Sequence, residues 1–293
     1  MSERKEARRR LRGALEERRA LVAPGVFDMI SAKIADALGF EALYMTGFGI
    51  SASHLGLPDA GLASYTEMLE RVARLAEGCA TPLIADGDTG YGGALNVQRT
   101  VRGYERAGAA AIQLEDQLFP KKCGHTLGRA VIPLEEMVTK VKVAVDARQD
   151  ADFLIIARSD ARTTHGLDAA LERAAAYRAA GADVIFLESP ESEAEMQRVA
   201  AEIDAPLVAN MVEGGRTPLL PQARLAELGF ALAIYPASGF LAAGKILREV
   251  YGSLRRDGDS GAVKEKLESF DAFNEMIGFP EVWDFDRRHG SGE

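Results

Sequence analysis

The stretch AIQLEDQLFPKKCGHTLGRAVIP, residues 111–133, sets Cys123 and His125 on an irregular loop behind two lysines, Lys121 and Lys122. The loop follows an apolar run that closes on two acids, Glu115 and Asp116. A structural cysteine belongs inside the apolar run, so this placement points to proton chemistry. Zinc is a poor match, because C-x-H spacing lacks a second ligand pair. A disulfide with Cys79, the other cysteine of the chain, does not suit a reducing cytoplasm. Nucleophilic attack by a Cys/His pair is a further option. Lys121 and His125 make the loop polar and able to exchange protons with a thiol, while Gly124 and Gly128 let it bend. We therefore take Cys123 as a general acid/base; the plainer alternative is an incidental loop cysteine.

The acids come next. Asp86 and Asp88 flank Gly87 at the end of another apolar run, and in an ideal strand both side chains would point to the same side. Glu115 ends the run that follows. Converging carboxylates repel one another unless a proton or a cation intervenes. An all-oxygen set suits Mg²⁺ or Mn²⁺; the alternative is that these acids cap helices or pair with loop lysines. Arg158, in IIARSD, closes an apolar strand, and its guanidinium requires a partner. Asp160, Glu188 and a substrate carboxylate all qualify, and the residues alone leave the choice open.

These groups need a frame that brings them together. Apolar runs at 20–25, 42–47, 82–88, 111–116, 153–160, 184–189, 206–211 and 232–238 alternate with segments of helical periodicity. AGAA, AGAD and LGFA supply glycine stops before the next strand. Eight such units predict an α/β chain folded as a (β/α)8 TIM barrel, a single domain over residues 1–293. No G-x-G-x-x-G follows the first strand, which removes the usual dinucleotide signature. Residues 1–19 predict a solvated N-terminal helix, and residues of about 252–293 predict extra C-terminal helices. Active sites of such barrels lie at the C-terminal ends of the strands. Standing there are Thr46, Gly47 and Phe48, then Asp86 and Asp88, Glu115, Arg158, Glu188 and Asn210, with Pro236 and Ser238 last.

Composition narrows the function classes. A net charge of −9 argues against a general nucleic-acid binder. No apolar run approaches the roughly 20 residues of a membrane span. The basic N-terminus lacks the apolar core of a secretory signal, and Glu3, Glu6, Glu16 and Glu17 oppose a transit peptide, so a cytoplasmic protein is expected.

D-G-D, LEDQ, KKCGH, A-R-S-D and NMVEGG, in this order, resemble the isocitrate lyase/phosphoenolpyruvate mutase superfamily from about Val22 to about Gly278. Within it, MTGFGISASHLGLPD, ARSDARTTHGLDAALER, FLESPESEAEMQR, ANMVEGGRTPLL and SFDAFNEMIG are most similar to the 2,3-dimethylmalate lyases. The resemblance implies a barrel whose last helix is swapped between subunits, in homotetramers built as dimers of helix-swapped dimers. It implies a Mg²⁺-dependent lyase that cleaves the C2–C3 bond of a 2-hydroxydicarboxylate to leave pyruvate or a relative. Asp86 would bind the metal directly, and Asp59, Asp88 and Glu115 would hold its waters. Thr46, Gly47 and Phe48 would cradle the pyruvyl group; Arg158 would take a carboxylate, and Glu188 and Asn210 would line the pocket. Lys121, Cys123, Gly124 and His125 would form a gating loop, with Cys123 the proton donor. Tyr44 would assist alkoxide formation.

Phe48 stands where methylisocitrate lyases carry a small residue, and Thr126 where they carry an arginine. An aromatic wall and one charge fewer disfavour a tricarboxylate and favour an alkylmalate such as 2,3-dimethylmalate, cleaved to pyruvate and a short carboxylic acid. The alternatives within the superfamily are a methylisocitrate lyase, an oxaloacetate hydrolase and a carboxyphosphoenolpyruvate mutase. A non-catalytic barrel that senses dicarboxylates is the alternative from another class.

Overall fold

In a computed structural model, which describes residues 2–290 except 125 and 127, eight parallel strands close on one another in sequence order. They are β1 (Leu21–Val26), β2 (Leu43–Met45), β3 (Leu83–Asp86), β4 (Ala111–Glu115), β5 (Leu154–Ser159), β6 (Val184–Leu187), β7 (Leu207–Asn210) and β8 (Leu232–Tyr235). All eight predicted runs are strands, and β8 returns to pair with β1, so no edge is left exposed.

Strand alternation decides which residues reach the centre. Leu43, Met45, Ala85, Ile112, Leu114, Ile155 and Ala157 face outward and pack with helix residues such as Val72, Val101, Met137 and Val141. Tyr44, Ile84, Ala111, Ile156, Phe186 and Val208 face inward and fill the barrel. Counting on by twos from these inward residues reaches Thr46, Asp86, Glu115, Arg158, Glu188 and Asn210. The same alternation that packs the core therefore delivers one polar group from each of β2 to β7 to the C-terminal mouth. Register does the rest, since Glu115 pairs with Arg158 and Asp86 with Gln113 on neighbouring strands.

The N-terminal helix α1 (Ser2–Glu16) is not the solvated helix expected from its charge. Leu11 and Leu15 are buried among the first residues of the strands, including Leu21, Ala110, Leu154 and Val184. Arg8 is buried too; its Nε donates to Ala109 O at 3.1 Å, Nη2 to Glu105 O at 2.6 Å and Nη1 to Asp150 Oδ2 at 3.0 Å. The helix stops the N-terminal end of the barrel. Its arginines masked an apolar stripe only two leucines long.

The chain divides into two compact units, residues 1–239 and 240–293. Within the second, helices Phe270–Ile277 and Phe279–His289 follow a short helical turn, Gly261–Lys266, and the rings of Phe279 and Trp283 lie 5.8 Å apart. Phe270, Trp283 and Phe285 are exposed in the single chain. No helix among the described residues is long and apolar enough to cross a membrane.

Candidate active site

The mouth of the barrel carries a dense set of buried charges. Asp86, at the end of β3, receives three donors: the Gly47 amide to Oδ2 at 3.2 Å, and the Asp88 amide (3.0 Å) and Gln113 Nε2 (3.4 Å) to Oδ1. Gly47 has to lack a side chain, because a β-carbon there would lie 2.6 Å from Asp86 Oδ2. The Gly47 amide, expected to cradle a substrate, is thus directed at this carboxylate. Thr46 caps the short helix Gly47–Ile50, its hydroxyl accepting from the Gly49 amide at 3.3 Å. Phe48, on that helix, is partly exposed.

Asp88 departs from the strand geometry expected for D-G-D. The strand ends at Asp86, and Asp88 has a left-handed backbone with φ of 46°. Its carboxylate nonetheless turns to the same mouth, 2.6 Å from Lys121 Nζ, and Lys121 also pairs with Asp59. Burial pushes the Asp88 carboxyl up to about 7, with Lys121 opposing and Asp86 and Asp59 reinforcing the shift. For Lys121, burial alone would favour the neutral amine, but Asp88, Asp59, Glu115 and Asp86 outweigh it and keep the ammonium charged. Lys121 stands as the counter-ion shared by Asp59 and Asp88.

Arg158 resolves the choice of partner left open by the sequence. Its Nε and Nη2 donate to Asp160 at 2.8 and 2.9 Å, while Nη2 lies 3.3 Å from Glu188 and Nη1 3.4 Å from Glu115. Nη1 makes the longest of these contacts, to Glu115. Glu188 also accepts from Asn210 Nδ2 at 2.9 Å and Ser189 Oγ at 3.0 Å. Burial pushes the Glu115 carboxyl well up, and Arg158 only partly counters this. For Asp160 burial acts the same way, but Arg158 and Arg129 hold its carboxyl below the usual range.

The loop after β4 lies over these groups. The Cys123 amide donates to Asp59 O at 3.1 Å, and a β-carbon at Gly124 would meet Arg158 Nη2 at 2.3 Å and Glu188 Cδ at 2.8 Å. Glycine at 124 is what allows this approach. Gln117 holds Lys122 by two hydrogen bonds of 2.8 and 2.9 Å, fixing the start of the loop. His125, expected in the gating loop, lies outside the described residues. Cys123 and Cys79 both stand as thiols.

Tyr44 and Gln113 form a second line inside the barrel. The Tyr44 hydroxyl donates to Gln113 Oε1 at 2.9 Å, which turns the amide nitrogen toward Asp86. Burial, reinforced by the Asp86 charge, raises the Tyr44 phenol well above its usual value. That proton is directed at Gln113, whose amide nitrogen in turn reaches Asp86. Gln113 escaped the sequence reading because both faces of β4 are buried, and a lone glutamine in such a run carries no periodic signal.

The donor set can be tested for a cation. Among the described side chains at this mouth, the carboxyls of Asp59, Asp86, Asp88, Glu115, Asp160 and Glu188 outnumber the cations Lys121, Arg129 and Arg158 by three in formal charge. Glu115 Oε1 is buried with no hydrogen-bond donor among the described residues. No three Asp, Glu, His or Cys side chains among the described residues converge tightly enough to hold one ion together. One direct carboxylate with the others acting through water fits both observations, and Mg²⁺ characteristically keeps several waters. The residues fit a hydrated divalent cation.

A parallel barrel with this acid-rich mouth and a cysteine loop across it defines a class. Residues 11–255 match the family model described as phosphoenolpyruvate phosphomutase. The chain belongs to this family, within the PEP mutase/isocitrate lyase superfamily. It is 49% identical to the 2,3-dimethylmalate lyase of Eubacterium barkeri over 97% of this chain and 98% of that one. Among solved structures it is similar to an oxaloacetate acetylhydrolase in complex with 3,3-difluorooxalacetate (TM-score 0.92, 36% identity, 98% of each chain). It is also similar to a phosphonopyruvate hydrolase complexed with oxalate and Mg²⁺ (TM-score 0.87, 33% identity, 97% of this chain and 99% of that one).

Proposed function

We propose that this protein is a Mg²⁺-dependent carbon–carbon lyase, with Mn²⁺ as a substitute, that cleaves 2,3-dimethylmalate or a similar alkylmalate to pyruvate and a short carboxylic acid. The excess of buried carboxylate at the mouth, under a loop that packs Gly124 against Arg158, is the observation that carries this reading. Asp86 would hold the cation directly, with Asp59, Asp88 and Glu115 acting through its waters. When bound, the cation supplies positive charge for the oxygens on C1 and C2.

The rest falls to the chain. Arg158 offers its Nη1 edge to a substrate carboxylate, and Glu188 with Asn210 fixes the other side of that guanidinium. Thr46, Gly47 and Phe48 bound the pyruvyl end, and the Phe48 ring provides apolar surface for an alkyl substituent. As the C2 carbonyl forms, the hydroxyl proton passes to water, which afterwards returns a proton to the Cys123 thiolate, and the C2–C3 electron pair passes to C3 and its carboxylate. Cys123 then delivers its thiol proton to C3. For 2,3-dimethylmalate the products balance as pyruvate and propanoate. Lys121 keeps Asp59 and Asp88 in place, and His125 belongs to the same loop.

A panel of alkylmalates assayed for pyruvate with Mg²⁺ tests the proposal; no pyruvate from any of them, with chelation making no difference, would reject it. The similarity to an oxaloacetate acetylhydrolase favours oxaloacetate hydrolysis as the second reading, and oxalate and acetate released from oxaloacetate would select it. We further propose a cytoplasmic enzyme, in keeping with two thiols that form no disulfide. We also propose a homotetramer of helix-swapped dimers, in keeping with the apolar side chains that the second unit exposes.

A further inference from the structure

Asp160 serves two arginines at once. It grips the Nε/Nη2 edge of Arg158, and its Oδ1 also accepts from Arg129 Nη1 at 2.6 Å. Both Asp160 and the Arg129 side chain are almost wholly buried. Arg129 Nη2 donates to Thr163 Oγ1 at 2.8 Å and Nε to Thr126 O at 3.2 Å. Thr126 in turn donates to Cys123 O through its amide at 3.0 Å and its hydroxyl at 2.8 Å. A hydrogen-bonded line therefore runs from Cys123 through Thr126, Arg129 and Asp160 to Arg158.

The electrostatic consequence is specific. A lone Arg158–Asp160 pair is neutral as a unit and attracts a third carboxylate weakly. With Arg129 on the far side, the Asp160 charge is shared between two guanidiniums, so less of the Arg158 charge is neutralised by Asp160 where it faces Glu115, Glu188 and the mouth. A buried charge-assisted network of this kind is coupled, so loss of one member is felt at the others.

We propose that Arg129 is a positioning residue for substrate: by sharing Asp160 it keeps Arg158 oriented toward an incoming carboxylate and ties that orientation to the Cys123 loop. The proposal rests on the reading that Arg158 takes a substrate carboxylate. It is tested on the full chain with oxalate as the probe, at saturating Mg²⁺, by calorimetry. Arg129→Met should weaken oxalate binding about tenfold, within the usual range of site-to-site coupling. It should raise KM for the working substrate more than it lowers kcat, and leave Mn²⁺ affinity, read by paramagnetic resonance, unchanged. Arg129→Lys, which keeps the charge and folds more readily, should recover part of the oxalate affinity. In an Asp160→Asn background the Arg129→Met change should have little further effect. Wild-type oxalate affinity in Arg129→Met, or equal loss in both backgrounds, would overturn the positioning role while leaving the proposed lyase intact. Failure of the wild type itself to bind oxalate would overturn both.

Discussion

The backbone amide of Gly47 donates to Asp86 Oδ2 at 3.2 Å, and a β-carbon at Gly47 would come within 2.6 Å of that oxygen. The end of β2 thereby sets the position of the carboxylate on β3. Gly47→Ala should displace Asp86 and weaken Mn²⁺ or Mg²⁺ affinity by about 10- to 100-fold, the range seen when groups orienting a ligand are changed. Titration calorimetry with either metal checks this, and circular dichroism should show the fold retained. Unchanged affinity would remove Asp86 from the cation site.

Chelation is the second test. Mg²⁺ binding to the folded chain alone should raise the midpoint of thermal unfolding, by about 2.7 kcal/mol in stability at a hundredfold excess over Kd. EDTA should reverse the shift and abolish pyruvate release. Asp86→Asn should lose both responses. A midpoint indifferent to Mg²⁺ would contradict the account of the buried carboxylates.

Cys123→Ser separates catalysis from binding. Loss of a positioned proton donor should lower turnover by roughly 10²- to 10⁴-fold, while oxalate with Mg²⁺ still binds. Equal losses in both would place the thiol in binding alone.

The two cysteines should also differ in reactivity. Burial, with help from Asp36, pushes the Cys79 thiol up to about 11. Because the thiolate is the reactive form, at pH 8 only about one Cys79 in a thousand is ionised. Raising the pH toward 11 should increase its alkylation steadily. Cys123 should label first at pH 8, and oxalate with Mg²⁺ should slow Cys123 without affecting Cys79. Mass spectrometry of iodoacetamide-treated protein resolves the two.

Arg8 gives a prediction about stability rather than chemistry. Arg8→Ala leaves Glu105 and Asp150 without their buried partner and should destabilise the fold by about 3 kcal/mol, as expected for a broken buried ion pair. Urea denaturation measures the loss, and activity per folded molecule should be unchanged.

The strands and most of the mouth were legible because period-two alternation and strand-end polarity are local signals. Asp86, Glu115, Arg158, Glu188 and Asn210 each follow from the sequence of their own strand. Long-range pairings were not legible. Nothing near Lys121 announces that it will sit between Asp59 and Asp88, and nothing near Arg129 points to Asp160, because loops carry no periodicity. Asp88 was misjudged in detail, since a strand that stops two residues early turns its backbone left-handed. The burial of α1 was hidden by its arginines, one of which, Arg8, finds its partners among carbonyls and an acid more than 90 positions away.

That same helix fixes which pole of the molecule is safe to handle. Because α1 stoppers the end opposite the chemistry, an affinity handle or surface tether joined ahead of Ser2 would hold the enzyme by its base. Immobilised that way, the barrel would keep its acid-lined end turned away from the support.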